Sequence, residues 1–283
     1  MLQYINMENI LTTNPKKFEE LKRKFKESGI EKIFILADFD RTLVKAFVNG
    51  KKVASLISVL RDENYLTPDY PDKAKALFEK YHAVEMDMDI SLEEKSRLMK
   101  EWWTKHFELL IASGLNKKDL EKAVESNNLV LRDGIPKFLN TLKDNNIPLV
   151  ILSSSGLGQE AISLYLEKKD LLSDNIHVIS NSFEWDKEGK AVLVKEPIIH
   201  MLNKKIGDYS IEVIKDKTNV LLLGDSLSDI EMIQGFDYEN IIKIGFLNED
   251  IDNNLERYKE AYDIVITKDS SAEYINTLLS EII

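Results

Sequence analysis

Short apolar runs of strand length alternate with amphipathic stretches over most of the chain, and this alternation sets the expected fold. The first run, Lys32–Ala37 (KIFILA), is followed by Ile147–Leu152, Ile176–Ser180, Asn219–Leu223, Ile241–Phe246 and Asp263–Ile266. Most are apolar on both faces, as strands buried in a parallel sheet are. Stretches with helical spacing lie between them: Ile135–Asn145, Gln159–Lys168, Glu196–Asn203, Tyr209–Lys215 and Ser228–Gln234. A polar amphipathic helix over 15–28 precedes the first strand, with Pro15 suited to its first turn and Gly29 to its stop. The pattern predicts an α/β fold with a Rossmann-like, doubly wound parallel sheet.

One segment breaks the rhythm. Between about 45 and 133 the text is helical (DKAKALFEKYHAVEM, LEEKSRLMKEWWTKHFELLIAS, KKDLEKAVESN) and almost free of strand runs. The expectation is an α/β core of residues 1–45 and 134–283, with a helical cap of residues 46–133 inserted after the first strand. The linkers near 45–50 and 128–134, with Gly50 and Gly134, are the expected hinges. Residues 247–283 read as an acidic loop (NEDIDNN), a last strand and a last helix that complete the core.

Composition narrows the chemistry. The net charge of −11 argues against nucleic-acid polymers and anionic membranes as partners, while a small phosphorylated molecule remains open. The absence of cysteine excludes disulfides, thiolate metal sites and a cysteine nucleophile, and it fits a reducing compartment. No apolar run reaches the roughly 18 residues of a membrane span. The start, Met1-Leu2-Gln3-Tyr4, lacks the order of a signal peptide. A cytoplasmic monomer is expected.

In open α/β sheets ligands bind beyond the carboxyl ends of the strands, so the residues after each strand matter most. Asp38, Phe39, Asp40, Arg41 and Thr42 follow the first strand. Two carboxylates at i and i+2 leave an extended chain on one side and repel unless a cation or proton separates them. Mg²⁺, a hard cation with oxygen ligands, would resolve this, and a carboxylate can attack phosphorus. Asp-x-Asp alone is equally a solvated turn. Gly224-Asp225-Ser226-Leu227-Ser228-Asp229 follows NVLLL with a second acidic pair, its serines readable as helix caps. Ser153-Ser154-Ser155-Gly156 follows another strand and suits an anion, or is simply a loop. Lys204 and Lys205 are not distinguished from a solvated lysine pair by pattern.

Taken together, these segments resemble the haloacid dehalogenase (HAD) superfamily of phosphatases. Asp38, Asp40 and Thr42 match its first motif, and Asp225 and Asp229 its acidic fourth motif. EKYHAVEMD, LEEK…EWWTKH, SSGLGQ, HVISN, NKK and LLLGDSLSD further resemble the cytosolic 5′-nucleotidase III group, the pyrimidine 5′-nucleotidases, from about Ile33 to Gly245. The resemblance implies a Mg²⁺-dependent hydrolase of nucleoside 5′-monophosphates. Asp38 would be nucleophile and Mg²⁺ ligand. Asp40 would be general acid and base, with its carbonyl on the metal. Asp225 and Asp229 would complete the metal site. Lys204 and a motif serine would hold the phosphate, with Thr42, Ser155 and Gly156 nearby. Counting from the glycines gives Ser154 as that serine, and counting from Pro148 gives Ser153.

The resemblance also places base recognition in the cap, on Glu85 and Trp103. Tryptophan there is similar to the branch that accepts 7-methylguanosine monophosphate, since a Trp face attracts cationic rings strongly; tyrosine or histidine would resemble the pyrimidine branch. Trp102 and Trp103 differ by about 100° around a helix, so one is expected in the core and the other at the cleft. The four histidines have no metal-ligand spacing and are expected to be structural or on the surface. Alternatives are a phosphatase acting on a phosphoserine-like or sugar phosphate, and a noncatalytic nucleotide-binding module. Transfer of the phosphoryl group to a nucleoside hydroxyl is a possible side activity.

Overall fold

The computed structural model describes residues 7–53, 55–87 and 89–283, so the reading of the first four residues lies outside it. In chain order the strands are β1 (Ile10–Thr12), β2 (Ile33–Ala37), β3 (Phe47–Val48), β4 (Lys51–Lys52), β5 (Leu149–Leu152), β6 (Ile176–Ile179), β7 (Phe183–Trp185), β8 (Ala191–Val194), β9 (Asn219–Gly224), β10 (Asn240–Leu247) and β11 (Ile264–Thr267). The helices are α1 (Pro15–Ser28), α2 (Leu56–Asp62), α3 (Tyr70–Met86), α4 (Leu92–Ala112), α5 (Lys117–Glu125), α6 (Ile135–Asp144), α7 (Gly158–Lys168), α8 (Ile251–Ala261) and α9 (Glu273–Ile282).

The central sheet runs β1-β11-β10-β9-β2-β5-β6. All its pairings are parallel except that of the edge strand β1 with β11. From β2 the chain moves outward through β5 to β6, then returns to the other side of β2 at β9. The strand order therefore reverses at β2, where such sheets form their ligand crevice. Ala37 stands opposite both Leu223 and Ile151, so β2, β9 and β5 end at one level. β2, β5, β9 and β11 are buried at every position, which explains why their text is apolar on both faces.

Helices α2–α5 all fall between β2 and β5. α3 and α4 pack antiparallel: Tyr70 Oη lies 3.3 Å from His106 Nε2, and Lys95 Nζ donates to the Glu85 carbonyl at 3.1 Å. One apolar cluster joins these helices to the sheet, with Leu56, Val59, Phe107 and Leu110 packed in the same body as Phe138, Tyr165 and Leu223. Among the described residues no helix is long and apolar enough to cross a membrane.

Several expected elements differ. Glu196–Asn203 is irregular, because Asn203 donates to the Ile198 carbonyl and accepts from His200 N. Side chains there satisfy the backbone in place of helical bonds. Tyr209–Lys215 holds only a 3₁₀ turn at Glu212–Ile214, and Ser228–Gln234 is 3₁₀ over Leu227–Ile233. The NEDIDNN loop is mostly the start of α8. The hairpins β3–β4 and β7–β8 and the edge strand β1 are too short to leave a periodic signal.

Candidate active site

The carboxyl end of β2 supplies the centre of the site. Asp38 N still bonds to Leu223 O at 3.0 Å, so the ladder with β9 aims this residue beside the end of β9. The chain then turns through Arg41 at φ 60°, a left-handed conformation unusual for a residue with a Cβ. At β9, Gly224 makes room for Asp229: a Cβ there would lie 2.4 Å from Asp229 Cβ. Asp229 Oδ2 accepts from the amides of Asp225 and Ser226, both at 2.9 Å, which closes the turn and fixes the carboxylate.

The serine loop and the lysine loop meet through Asn181. Its Nδ2 donates to Ser155 O at 3.2 Å and Ile199 O at 3.0 Å, and its Oδ1 accepts from Ile199 N at 2.8 Å. Lys204 follows that loop and is buried. Its Nζ stands 2.7 Å from Asp38 Oδ1 and 2.6 Å from Asp229 Oδ1. Ser153 Oγ accepts from Ser155 N at 3.2 Å and is enclosed, whereas Ser154 is only half-buried at the cleft.

A cleft of about 260 Å³ joins these groups. Asp38, Asp40, Ser153, Ser154, Ser155, Gly156, Lys204, Asp225 and Asp229 line it, and so do Glu85 and Trp103 from α3 and α4. Of the residues singled out in the sequence, Thr42 is not brought to the cleft: it is fully buried behind the Asp38 turn. Ser55 and Met201 line the cleft without any signal in the sequence that marked them; Ser226, which caps the 3₁₀ turn after β9, and Ser228, whose amide donates to that cap, line it too. Trp102 stacks on Tyr81, with ring centroids 6.0 Å apart and planes at 9°, while Trp103 stacks on Phe107 and reaches the cleft. His82 Nδ1 lies 2.8 Å from Glu85 Oε2, a pairing set by i,i+3 spacing on α3.

The electrostatics call for a cation. Burial, followed by repulsion from Asp38, pushes Asp40 up to about 7. Burial also raises Asp38, to about 6, with Asp229 adding to the rise and Lys204 opposing it. Asp225 is held well above the usual carboxylate range by burial and by Asp229. For Lys204 burial opposes the charge, but Asp229 and Asp38 outweigh it and the amine is held above its ordinary value. Four aspartates, Asp38, Asp40, Asp225 and Asp229, and Glu85 line the cleft against Lys204 and Arg41, and carboxylate oxygens of Asp38, Asp225 and Asp229 lie within 4.8 Å of one another. An all-oxygen set at this spacing fits a hard divalent ion such as Mg²⁺.

A sequence model of the pyrimidine 5′-nucleotidase (UMPH-1) family matches residues 41–283. The human 7-methylguanosine phosphate-specific 5′-nucleotidase is 33% identical over 279 residues, covering 97% of this chain and 92% of that one. The Gallus gallus protein of the same name is 31% identical, covering 100% and 99%. A crystal structure of cytosolic 5′-nucleotidase IIIB bound to cytidine superposes with a TM-score of 0.85 at 27% identity, over 98% of this chain and 94% of that one. Substrate-bound phosphoserine phosphatase, at 19% identity and a TM-score of 0.51 over 87% of this chain and 97% of that one, shares the fold.

Proposed function

This chain belongs to the pyrimidine 5′-nucleotidase (UMPH-1) family, and we propose that it hydrolyses its substrate through Asp38. It is a HAD-fold phosphoric monoester hydrolase, a 5′-nucleotidase that converts a nucleoside 5′-monophosphate and water to nucleoside and phosphate. The observation that carries the proposal is the joining of Asp38, Lys204 and Asp229 by ion pairs of 2.6–2.7 Å in one cleft with Glu85 and Trp103.

In the proposed mechanism a carboxylate oxygen of Asp38 attacks phosphorus, forming an O–P bond as the bond to the ribose 5′-oxygen breaks. Asp40 gives that oxygen its proton. With a pKa near 7, Asp40 retains a proton at neutral pH in a useful fraction of molecules. Asp40 then takes a proton from water as the water attacks the phosphorus, and Asp38 and phosphate are released. Lys204 and Ser154 would hold the phosphate oxygens, with Ser153 bracing the loop. The side chains of Asp38, Asp225 and Asp229 and the carbonyl of Asp40 would hold Mg²⁺. The ion would supply charge neutralisation and polarisation of a phosphoryl oxygen.

We further assign residues 46–133 as the cap that selects the leaving group. A flat base would lie against Trp103, and Glu85, with one oxygen held by His82, would accept a hydrogen from a base N–H. Trp103 favours a cationic ring, so 7-methylguanosine monophosphate is the substrate we expect to lead, ahead of CMP and UMP. Phosphate release from CMP, UMP, AMP, GMP, 7-methyl-GMP, phosphoserine and a sugar phosphate, with Mg²⁺ or chelator and beside Asp38→Asn, tests both parts. Release led by phosphoserine or the sugar phosphate would overturn the cap assignment, and release by Asp38→Asn at the wild-type rate would overturn the mechanism.

A further inference from the structure

Arg132 sits on the second linker, wholly out of solvent, and does not itself line the cleft. A guanidinium has five N–H donors, and each of these has an acceptor. Nε donates to Thr42 O at 2.9 Å. Nη1 donates to Ser270 O at 2.8 Å and pairs with Asp269 Oδ1 at 3.0 Å. Nη2 donates to Arg41 O at 2.6 Å and to Asn248 Oδ1 at 3.1 Å. The guanidinium carbon lies 4.1 Å from the centre of the Phe246 ring.

The partners identify what is being held. Arg41 and Thr42 directly follow Asp40, and the Arg41 carbonyl accepts a second bond, from Asn248 Nδ2 at 3.0 Å. That carbonyl belongs to the left-handed residue of the turn that sets the directions of Asp38 and Asp40. Asp269 in turn accepts from the amides of Ala46 at 2.9 Å and Phe47 at 3.0 Å on the first linker. The two linkers pair directly: Lys45 N bonds to Val130 O and Arg132 N to Leu43 O, both at 2.9 Å, around a bridge between Val44 and Leu131. An ion pair whose guanidinium is wholly out of solvent and whose carboxylate is mostly so is a poor way to gain stability, because desolvating the charges offsets most of their attraction. Its planar, five-way geometry is instead well suited to fixing backbone carbonyls.

We infer that Arg132 and Asp269 are positioning residues for the reaction: they lock the turn carrying Asp38 and Asp40 and pin both cap linkers to it. Cap motion then pivots beyond Phe47 and Val130, leaving the reacting carboxylates in place as the cap opens. The inference rests on Asp38 and Asp40 being the reacting pair.

The test compares Asp269→Asn and Arg132→Lys with a Leu279→Ala control, a core substitution in α9 that lowers stability without touching the turn. In protein shown to be folded, the two brace variants are expected to lose about 10²-fold in kcat on a nucleoside monophosphate, with little change in KM. The loss should be smaller on 4-nitrophenyl phosphate, whose leaving group departs without a proton from Asp40. Backbone amides of Ala46 and Phe47 should exchange hydrogen faster in Asp269→Asn. Should the brace variants keep wild-type kcat, or lose no more than Leu279→Ala at equal Tm, Arg132 and Asp269 are a structural staple and the inference is overturned. Arg132→Lys failing to fold leaves Asp269→Asn to decide. A wild-type rate in Asp38→Asn would remove the site assignment and this inference with it, a result distinct from a wild-type rate in the brace variants alone.

Discussion

Lys204 and Asp38 form an ion pair closed off from solvent, Nζ to Oδ1 at 2.7 Å, and the same amine reaches Asp229 at 2.6 Å. One lysine thus joins the loop before β9, the end of β2 and the turn after β9. Removing it leaves two buried carboxylates facing each other without a fixed cation. Lys204→Met is expected to lower kcat/KM by about 10²–10³-fold in Mg²⁺. It should also lower Tm more in chelator than in Mg²⁺, since a bound cation replaces part of the lost charge. A wild-type kcat/KM in this variant would take Lys204 out of the site.

Gly156 lies against the cap. A Cβ there would come 2.4 Å from Ile57 Cδ1 and 2.8 Å from Trp103 Cζ3. Gly156→Ala therefore has to push α2 or the Trp103 ring away from the serine loop. The expected effect is on substrate affinity before chemistry: KM for nucleotide rises about tenfold while kcat changes less. Adding Ile57→Ala returns space and should recover most of the KM. Failure of the second substitution to rescue would mean that the contact does not limit cap closure.

Much of this was legible in the sequence because the relevant signals are local. β2 and β9 are apolar on both faces and end abruptly in acidic residues, so strand, strand end and carboxylate are read together. Asp225 and Asp229 sit on one short turn, and their spacing survives its being 3₁₀ rather than α. What was hidden is non-local or carried by side-chain bonding. Met201 and Ser55 reach the cleft through tertiary placement alone. The Glu196–Asn203 stretch has helical spacing, but Asn203 and Asn181 capture its backbone. Arg132 reads as one more charged linker residue until its partners at 41–42, 248 and 269–270 are seen together. Gly134 reads as a hinge, yet a Cβ there would lie 2.9 Å from Glu273 N, so it is packed tightly against the start of α9.

Trp103 offers a flat face to the cleft beside Glu85. If that face selects a cationic base, weakening its π-system should narrow the preference without touching the phosphate site. For Trp103→Tyr the ratio of kcat/KM for 7-methyl-GMP over CMP is expected to fall, by less than the roughly 30-fold that losing a whole cation–π attraction of about 2 kcal/mol would cause. Phosphate release from 4-nitrophenyl phosphate should stay near wild type. An unchanged ratio would place base discrimination elsewhere in the cap.

The pH dependence of stability offers a test of the metal site that does not use catalysis. Asp38 near 6, Asp40 near 7 and Asp225 well above the usual range are all raised, with burial the largest cause of each. The folded state therefore binds these protons more tightly than the unfolded chain. The stability they contribute is fully present below the ordinary carboxylate pKa of about 4 and is lost as pH rises through the folded values. His106 and His200, each lowered to about 4 chiefly by burial, act the other way: they favour the folded state increasingly as pH rises towards about 6.5, and are constant above it. Above about pH 6.5 the carboxylates dominate this balance, so Tm of metal-free protein should fall between about pH 6.5 and pH 8. A divalent ion among Asp38, Asp225 and Asp229 takes the place of the departing protons, so Mg²⁺ should raise Tm more at pH 8 than at pH 6.5. Asp225→Asn removes one ligand and one of the raised groups, and should flatten both the pH slope and the Mg²⁺ response. Equal Mg²⁺ shifts at the two pH values, or a wild-type response in Asp225→Asn, would move the metal away from these three carboxylates.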